Sequence, residues 1–528
     1  MNNENTRKKS GKASAIIVFT VSGLLITLGF LMLFSAIWFT TNFNTAVGLD
    51  AVIFTLLAGV EEADPELINS YILDAAVTTV LCSAVLIAAI LVIPKLIQNE
   101  KFRTRFTAKV HKLSALGLAA VLFLSLFLFS GIHVDLFSFI AARLDTSVLF
   151  DERYVHPNDV EISFPEEKRN LIYIYLESME ISYMDEENSG ALETNLIPEL
   201  TELAQNNLNF SHNEGVGGAQ TTVGSTWTIA AMITQTSGVP LCLPAKVNRN
   251  SLNRYAKVLP GLTNLTNILH ENGYTQSLMV GSDGSFGGRK EFFTQHDMDN
   301  VYDLFTARED GFLPSPDYHD KFWGYEDYYL FHYAQAKITE QAQSGEPFAF
   351  TLLTVDTHHP AGHPCIACQR RSIEGMELQE AKDTQFEDVL NCSSRQVTQF
   401  VEWIQKQDFY ENTTVIITGD HTSMNKQYFA GHVAEDYTRR VYNCFLNTPI
   451  EPVEAKNREF TTLDMFPTTL AALGCTIEGD QLGLGVNLFS DRPTLAEELG
   501  MNYLNAEITK VSPYYQNNFL YGTKQEEQ

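Results

Sequence analysis

Three uncharged apolar stretches near the N-terminus constrain the fold of this chain most strongly. Residues 13–40, 75–94 and 113–134 contain no Asp, Glu, Lys or Arg. A bilayer is spanned by about 20 apolar residues in a helix, so each stretch is long enough to cross a membrane. The first stretch is longer than the apolar part of a signal peptide, and no clean cleavage site follows it. The sequence therefore predicts a transmembrane anchor of three helices over residues 1–134.

The charges that flank these stretches predict their orientation. Four Lys or Arg residues precede the first stretch and six lie between the second and the third. Residues 41–74, between the first and the second, contain six acidic residues and no basic one. Because cytoplasmic loops are enriched in Lys and Arg, the N-terminus is expected in the cytoplasm. Everything after residue 134 is then expected outside the cell membrane, in a multi-pass protein with an extracytoplasmic domain.

The net charge is concentrated in that outer part. The 528 residues carry a net charge of −28, and residues 135–528, with 26 basic and 56 acidic residues, carry −30. Such acidity excludes nucleic acid as a partner, since binding its phosphate backbone requires a basic surface. An acidic domain that handles an anionic substrate would need a bound cation to offset the repulsion.

The outer part has the pattern of an α/β domain. Short runs that are apolar throughout alternate with helical stretches, which indicates a wide, mostly parallel sheet covered by helices on both faces. We expect an amphipathic connector over 135–169, one catalytic domain over 170–490 and a peripheral tail over 491–528. The predicted strands are Asn170–Leu176, Thr275–Val280, Phe348–Val355, Thr413–Thr418 and Tyr442–Leu446.

Polar residues follow three of these strands directly. Glu177 follows the first, His358 and His359 lie just after the third, and Asp420 and His421 come after the fourth. Ligands bind at the carboxyl ends of the strands in open α/β sheets, so these side chains are expected to lie together. Two carboxylates and an imidazole suit a divalent cation such as Mn²⁺ or Zn²⁺.

A segment rich in Gly and Thr precedes an apolar helix and offers a nucleophile. Ser225 and Thr226 lie near the predicted start of that helix, within residues 215–232. A hydroxyl there is favoured by the helix dipole, and a nearby metal ion would lower its pKa and activate it toward phosphorus. The alternative is that one of these hydroxyls only caps the helix.

Together these segments resemble the phosphoglycerol transferases, a family that includes the enzyme that modifies osmoregulated periplasmic glucans and the lipoteichoic acid synthases. The family belongs to the sulfatase-like branch of the alkaline phosphatase superfamily, so the resemblance implies an alkaline phosphatase/sulfatase-like fold. It covers most of residues 135–490 and rests on four motifs, with further landmarks at Trp323-Gly324, Asp464–Pro467 and Leu484–Leu488. The four motifs are Asn170–Glu180, Gly224–Met232, Leu353–Pro360 and Thr418–His421.

The resemblance implies roles for the motif residues. Glu177, Asp420 and His421 match the metal ligands of the family, which implies one divalent ion, Mn²⁺ first and Zn²⁺ or Mg²⁺ as alternatives. The nucleophile of the family is a threonine at the start of the helix. Alignment on Trp227-Thr228 puts Ser225 at that position, whereas residue identity favours Thr226, and both stay open.

The resemblance also implies residues that bind the substrate. His358 matches a histidine that lies near the substrate phosphate, and His359 is its neighbour and possible substitute. Arg289 matches an arginine that binds phosphate, with a solvated surface arginine as the alternative. Trp323 belongs to a family landmark and is assigned to substrate binding.

These roles imply a phosphoglycerol transferase that is anchored in the membrane. Phosphatidylglycerol is the implied donor, and an extracytoplasmic glycan or a glycerophosphate polymer is the implied acceptor, through an intermediate on Ser or Thr. A phosphoethanolamine transferase and a hydrolase of the sulfatase or phosphodiesterase type are alternatives. Cys242–Lys246 only half-resembles the sulfatase signature, because Lys246 stands where an arginine is required. A non-catalytic envelope sensor is a further alternative, against which the complete ligand set speaks.

Six of the seven cysteines lie in the outer part, where disulfides are permitted. Cys365-x-x-Cys368, with His363 nearby, is compatible with a zinc or redox site. A structural disulfide that involves the loop after His359 is the favoured interpretation. Six cysteines allow 15 pairings, and the sequence does not choose among them.

Overall fold

The computed structural model describes residues 2–43, 48–58, 65–96, 108–242, 258–315, 318 and 324–520. The chain divides into two compact units. One takes in residues 1–43 and 63–140, and the other takes in residues 44–62 and 141–528.

The first unit is built from long apolar helices. Within the described residues, three helices are long and apolar enough to cross a bilayer, over Ala13–Asn42, Ile68–Ile93 and Val110–His133, with mean hydropathies of 2.5, 2.7 and 2.4. These are the three helices that the sequence predicts, and the chain is a membrane protein. Within the described residues, the helices up to residue 143 are α1 (Asn2–Asn42), α2 (Leu49–Ala58), α3 (Pro65–Tyr71), α4 (Thr78–Leu96), α5 (Ala108–His133) and α6 (Leu136–Arg143).

Polar contacts join the first two spans near one end. The indole Nε1 of Trp38 donates to Ser70 Oγ at 2.8 Å, and the hydroxyls of Ser35 and Tyr71 lie 3.0 Å apart. Between α3 and α4 the backbone forms a π-helix over Ile72–Val77, so the second span is one continuous helical segment of mixed type.

The second unit contains α2 and all of the strands. Its other helices are α7 (Leu149–Arg153), α8 (Pro198–Asn206), α9 (Thr228–Ser237), α10 (Leu265–Glu271), α11 (Arg289–Gln295), α12 (Leu304–Glu309), α13 (Asp327–Ala342), α14 (Leu378–Gln405), α15 (Lys426–His432), α16 (Met465–Ala472), α17 (Leu495–Leu499), α18 (Met501–Thr509) and α19 (Pro513–Tyr515). Its strands are β1 (Ile162–Ser163), β2 (Asn170–Leu176), β3 (Gly218–Ala219), β4 (Thr275–Val280), β5 (Asn300–Tyr302), β6 (Phe348–Leu353), β7 (Thr413–Gly419), β8 (Val441–Leu446), β9 (Thr476–Ile477), β10 (Gln481–Leu482) and β11 (Gly485–Val486).

A seven-stranded sheet forms the centre of this unit, in the order β3-β8-β7-β2-β6-β4-β5. The five strands from β7 to β5 are parallel, β8 pairs antiparallel with β7, and β3 at the edge pairs antiparallel with β8. The sheet is mostly parallel and packed with helices, as predicted. Strands β2, β6 and β7 are adjacent and point the same way, so their carboxyl ends meet at one edge of the sheet.

The C-terminal segment that the sequence suggests to be peripheral contributes buried side chains. The Phe150 ring of the connector packs against Tyr515 and Phe519, with ring centroids 5.4 and 5.8 Å apart. The buried Ser147 hydroxyl donates to Glu507 at 2.9 Å. The described part of this segment, up to residue 520, therefore closes the fold against the connector.

Candidate active site

Glu177 stands at the carboxyl end of the central strand β2 and is fully buried. Its backbone N–H donates to Thr354 Oγ1 at 3.0 Å, and its carbonyl accepts a short hydrogen bond from Thr357 Oγ1. Ser178, which follows it, has a φ of 51° and donates its hydroxyl to Glu177 Oε1 at 2.6 Å. Left-handed backbone in a residue other than glycine is uncommon and is concentrated at functional sites.

Asp420 and His421 follow the neighbouring strand β7 and are also buried. Asp420 Oδ1 accepts the backbone N–H groups of Ser178 at 2.8 Å and of His421 at 2.7 Å. The Nδ1 of His421 lies 3.0 Å from the carbonyl of Thr422 and donates to it, so Nε2 is the ring nitrogen that is directed at the carboxylates. This Nε2 lies 3.4 Å from Asp420 Oδ2 and 3.7 Å from Glu177 Oε1.

Gly419 allows the two strand ends to approach. A Cβ at this position would overlap the carbonyl oxygen of Met179 and would lie 3.1 Å from Val441 Cβ. Only glycine therefore fits between β7 and the chain that leaves β2, one residue before Asp420.

We call Glu177, Asp420 and His421 the strand-end cluster. One ligand atom from each lies within 4.8 Å of the others, so the structure brings the three predicted metal ligands together.

Thr228 is the hydroxyl that reaches the strand-end cluster. It is the first residue of α9, and its Oγ1 lies 3.3 Å from Glu177 Oε2 and 3.4 Å from His421 Nε2. The preceding residue, Trp227, is extended, with φ −144° and ψ 156°, so the helix begins at Thr228. This position combines the free N–H groups and the positive end of the helix dipole with the cluster.

The structure does not place the predicted nucleophiles there. The Ser225 hydroxyl accepts the backbone N–H of Thr222 at 2.8 Å, lies 2.9 Å from the Thr222 carbonyl and accepts from Thr462 at 3.3 Å. Thr226 is buried, and neither it nor Ser225 hydrogen-bonds to the strand-end cluster in the part of the chain that is described. Thr228, rather than Ser225 or Thr226, is therefore the hydroxyl that lies at the cluster, because residues 222–225 form a turn and the helix begins after Trp227.

Gln235 and two threonines also hold the site, and the sequence did not single them out. Gln235, on the buried face of α9, donates from Nε2 to the carbonyls of Gly419 and Asp420, both at 3.1 Å. Thr354 and Thr357 hold both backbone groups of Glu177. The two threonines lie inside the Leu353–Pro360 motif, whereas nothing in the local pattern around Gln235 indicates its contact.

Burial and the neighbouring charged groups shift the pKa values of the strand-end cluster. Burial and the nearby Glu177 raise the pKa of Asp420 to about 7. Burial alone would lower the pKa of His421, but Asp420 and Glu177 raise it above its ordinary value. Burial would likewise raise the pKa of Glu177, and the imidazoles of His421 and His358 lower it instead. Buried negative charge held at this point favours a cation.

His358 and His359 lie beside this cluster. His358 lies close enough to Glu177 to help lower the pKa of that carboxyl, and the rings of His358 and His359 are 4.7 Å apart. Burial, together with His358 and His421, lowers the pKa of His359 well below its usual range, so this imidazole is neutral at pH 7. The structure therefore brings both predicted histidines to the site.

Arg289 is buried rather than solvated on the surface. Its Nη2 donates to Ser282 Oγ and to the carbonyl of Asp283, both at 2.8 Å. The turn before it packs on the helix that carries Thr228, since a Cβ on Gly287, where φ is 65°, would lie 3.4 Å from Ile229 Cγ2. These contacts hold Arg289 in its own turn and do not include the strand-end cluster, so phosphate binding by Arg289 stays a prediction. Trp323 lies outside the described residues.

The residues present fit a divalent ion. Asp420 Oδ2 is buried and accepts no hydrogen bond from the part of the chain that the structure describes, although it lies 3.4 Å from His421 Nε2. A buried carboxylate oxygen without a hydrogen bond is costly unless a cation approaches it. Two carboxylates, one imidazole and a hydroxyl are donors that Mn²⁺, Mg²⁺ and Zn²⁺ accept.

Residues 169–475, more than half of the chain, match the family model described as Sulfatase. The chain belongs to the sulfatase family. The alternative sulfatase nucleophile, Cys242, is not at the site of this family member, because its N–H donates to the Tyr515 hydroxyl at 3.0 Å and its Sγ lies 3.8 Å from the Ile508 carbonyl.

This sulfatase-family chain is similar to curated proteins named phosphoglycerol transferase I. The protein from Xanthomonas campestris pv. campestris (strain B100) is 32% identical over 308 residues, which are 58% of this chain and 41% of that protein. The protein from Escherichia fergusonii is 29% identical over 324 residues, which are 61% of this chain and 39% of that protein. The chain thus spans less than half the length of these relatives.

Among solved structures, the lipoteichoic acid synthase LtaP from Listeria monocytogenes superimposes with a TM-score of 0.49 at 18% identity. The superposition covers 63% of this chain and 82% of LtaP.

Proposed function

We propose that this chain is a metal-dependent phosphotransferase that moves glycerol phosphate from phosphatidylglycerol to an extracytoplasmic acceptor. The observation that carries the proposal is the position of Thr228 Oγ1, at 3.3 Å from Glu177 and 3.4 Å from His421, at the start of a helix. The transferred group is inferred from the relatives named phosphoglycerol transferase I. The acceptor is proposed to be a glycan or a glycerophosphate polymer.

Glu177, Asp420 and His421 would hold one divalent ion, which we propose to be Mn²⁺, with Zn²⁺ and Mg²⁺ as alternatives. Such an ion supplies positive charge that lowers the pKa of a neighbouring hydroxyl and offsets the charge of a phosphate. This role agrees with the −30 charge of residues 135–528, which otherwise repels an anionic donor.

Thr228 is proposed as the nucleophile. Its oxygen forms a bond to phosphorus while the bond from phosphorus to the diacylglycerol oxygen breaks, which leaves glycerol phosphate on Thr228. Glu177 and His421 are the side chains within reach of the hydroxyl proton. The hydroxyl of the acceptor then attacks phosphorus and releases Thr228 in its original form.

The surrounding residues would bind the phosphate and move protons. The first N–H groups of α9 lack intrahelical partners and favour an anion at the position where the phosphate meets Thr228. His358, beside Glu177, is proposed to protonate the leaving oxygen, and the neutral His359 is proposed to orient it. Arg289 and Trp323 are proposed to bind the donor head group.

The apolar helices would keep the catalytic unit tethered to the membrane in which the donor resides. Tethering raises the effective concentration of a lipid substrate that does not leave the bilayer. The absence of Lys and Arg between residues 41 and 74 supports an extracytoplasmic position of the catalytic unit in the cell membrane.

The test compares Thr228→Ala with Ser225→Ala in the full chain, reconstituted in vesicles that contain phosphatidylglycerol. Release of diacylglycerol is expected to fall by about 10³-fold or more in T228A, because the nucleophile is lost. S225A is the matched control. It is expected to lower stability by about 1–3 kcal/mol, because the Thr222 N–H loses its acceptor, and to keep turnover within about tenfold of the parent. Equal turnover in T228A and the parent would overturn the proposal.

The donor is tested with the same vesicles. Vesicles with phosphatidylethanolamine as the only donor are expected to give no diacylglycerol. Faster release from phosphatidylethanolamine than from phosphatidylglycerol would favour the phosphoethanolamine transferase instead.

A further inference from the structure

Three cysteines meet behind the loop that carries His358 and His359. Cys368, on that loop, forms a disulfide with Cys392 of α14, and Cys365 is a buried free thiol. The Cys365 Sγ lies 3.5 Å from Cys368 Sγ and 3.9 Å from Cys392 Sγ. We call these three residues the sulfur cluster. The proposed transferase mechanism does not use it.

The arrangement of the three sulfur atoms is a triangle rather than a line. Exchange of a thiol with a disulfide needs the attacking sulfur in line with the bond that breaks, whereas Cys365 contacts both sulfurs of the pair from the side. Tetrahedral zinc with bonds of about 2.3 Å to sulfur separates its sulfur ligands by about 3.8 Å. Two of the three distances in the sulfur cluster are close to that value already.

A fourth donor stands beside the triangle. Asp356, the third residue after β6, is 1% exposed, and within the described residues its carboxylate oxygens have no polar partner other than the Cys365 thiol that they face. It is thus a buried oxygen donor directed at a group of sulfurs, and this observation is independent of the distances between the sulfurs.

The surroundings favour a cation over an isolated thiolate. Burial, together with the nearby carboxylates of Asp356, Asp327 and Glu326, raises the pKa of the Cys365 thiol, so a thiolate there is stable only if positive charge accompanies it. Gln396 donates from Nε2 to Cys365 Sγ at 3.4 Å and to Cys392 Sγ at 3.5 Å. Such N–H donors to the ligand atoms are typical of the outer shell of metal sites.

We propose that the sulfur cluster and Asp356 form a second site, for a soft divalent cation such as Zn²⁺, when the Cys368–Cys392 disulfide is reduced. A dithiol supplies two electrons and two protons, the bond between the sulfurs breaks, and Cys368 and Cys392 become thiols. Cation binding then releases protons from the three thiols, and three metal–sulfur bonds and one metal–oxygen bond form. The disulfide and the bound cation are alternative ways to fasten the loop of His358 to α14.

The site is tested with Co²⁺ on the purified full chain in detergent, with and without prior reduction by a phosphine. Thiolate ligands give Co²⁺ an intense near-ultraviolet charge-transfer band, which the oxygen and nitrogen donors of the strand-end cluster do not produce. Reduced protein is expected to gain this band together with one additional equivalent of bound Co²⁺, and unreduced protein is expected to lack both. Zn²⁺ is expected to displace the Co²⁺ and to remove the band.

Single-residue variants test whether the charge-transfer band comes from the sulfur cluster. Cys365→Ser leaves two of the three thiols and is expected to weaken the band and to lower the affinity for Co²⁺ by about tenfold or more, whereas Cys444→Ser, at another buried free cysteine, is the matched control and keeps both. Asp356→Asn is expected to weaken Co²⁺ binding by about tenfold or more. Glu177→Gln, which disables the strand-end cluster, is expected to keep the band, so the outcome does not depend on the proposed transferase. Melting temperatures confirm that each variant is folded.

Three results would overturn the inference. The first is the absence of a charge-transfer band after reduction, and the second is a band in C365S with the intensity and Co²⁺ affinity of the parent. The third is a peptide map of the unreduced protein in which Cys365 is joined to Cys368 or Cys392, since that pairing identifies the cluster as a thiol–disulfide exchange site.

Discussion

The strand-end cluster and the sulfur cluster are two groups of potential metal ligands, one at the ends of β2 and β7 and the other between a loop and α14. A buried aspartate accompanies each, Asp420 in the first and Asp356 beside the second. They differ in how they are held. Hydrogen bonds from the ends of β2 and β7 fix the oxygen and nitrogen donors, whereas a covalent bond between a loop and α14 fixes the sulfurs. The first is expected to respond to chelators and the second to reductants.

The sharpest test of this difference replaces each of the two aspartates, Asp420 and Asp356, with asparagine in a separate variant. Asp420→Asn turns one of the two carboxylate oxygens into an NH2 group and removes the negative charge, so we expect loss of the bound metal and a fall in turnover of about 10³-fold or more. Asp356→Asn is expected to keep the metal of the strand-end cluster. Metal content per chain and diacylglycerol release are the measurements. A D420N protein that retains both would show that the strand-end cluster is not the metal site.

A chelator is expected to act on the metal of the strand-end cluster, and a reductant is expected to act on the disulfide of the sulfur cluster. Treatment with a chelator is expected to abolish activity and to lower the melting temperature, because a ligand at 100 times its Kd stabilises the folded state by about 2.7 kcal/mol. Addition of Mn²⁺ is expected to restore both. A phosphine reductant alone is expected to leave the metal of the strand-end cluster in place. If the reductant releases that metal, the two clusters are coupled and the comparison fails.

The smallest expected effects concern the two glutamines behind the clusters. Gln235→Ala removes the donor to the Gly419 and Asp420 carbonyls and is expected to weaken metal binding at the strand-end cluster by about tenfold. Gln396→Ala removes the donor to two sulfurs and is expected to leave that affinity unchanged. Titration with Mn²⁺ while activity is measured separates the two variants, and equal affinities would contradict the role of Gln235.

The long elements of the fold could be predicted from sequence because their patterns are local. The bounds of β2 and β4 agree with the predicted strands residue for residue. The two-residue β3, with a glycine, and the three-residue β5 at the other edge are too short to give a pattern. They form because longer strands beside them offer hydrogen-bonding partners.

The site residues also divide into those that a local sequence pattern indicates and those that depend on distant contacts. Glu177, Asp420 and His421 directly follow apolar strands, so strand topology alone predicts that they meet. The choice among Ser225, Thr226 and Thr228 depends on where the turn ends and the helix begins. Each of the four residues from 225 to 228 is compatible with either a turn or a helix start, so their identities do not locate the boundary. Thr462, which holds Ser225 in that turn, lies 237 residues away in sequence. No local pattern contains that contact.

Gly419 has a consequence for how this site tolerates change. Every other amino acid places a carbon where the Met179 carbonyl oxygen already lies, so a substitution there separates the ends of β2 and β7 and displaces ligands on both. The geometry of the reactive centre is thus set partly by a residue that takes no part in the chemistry. An engineer who wishes to retune the metal or the donor has freedom in the loops around the centre, but the distance between its two halves is a fixed dimension.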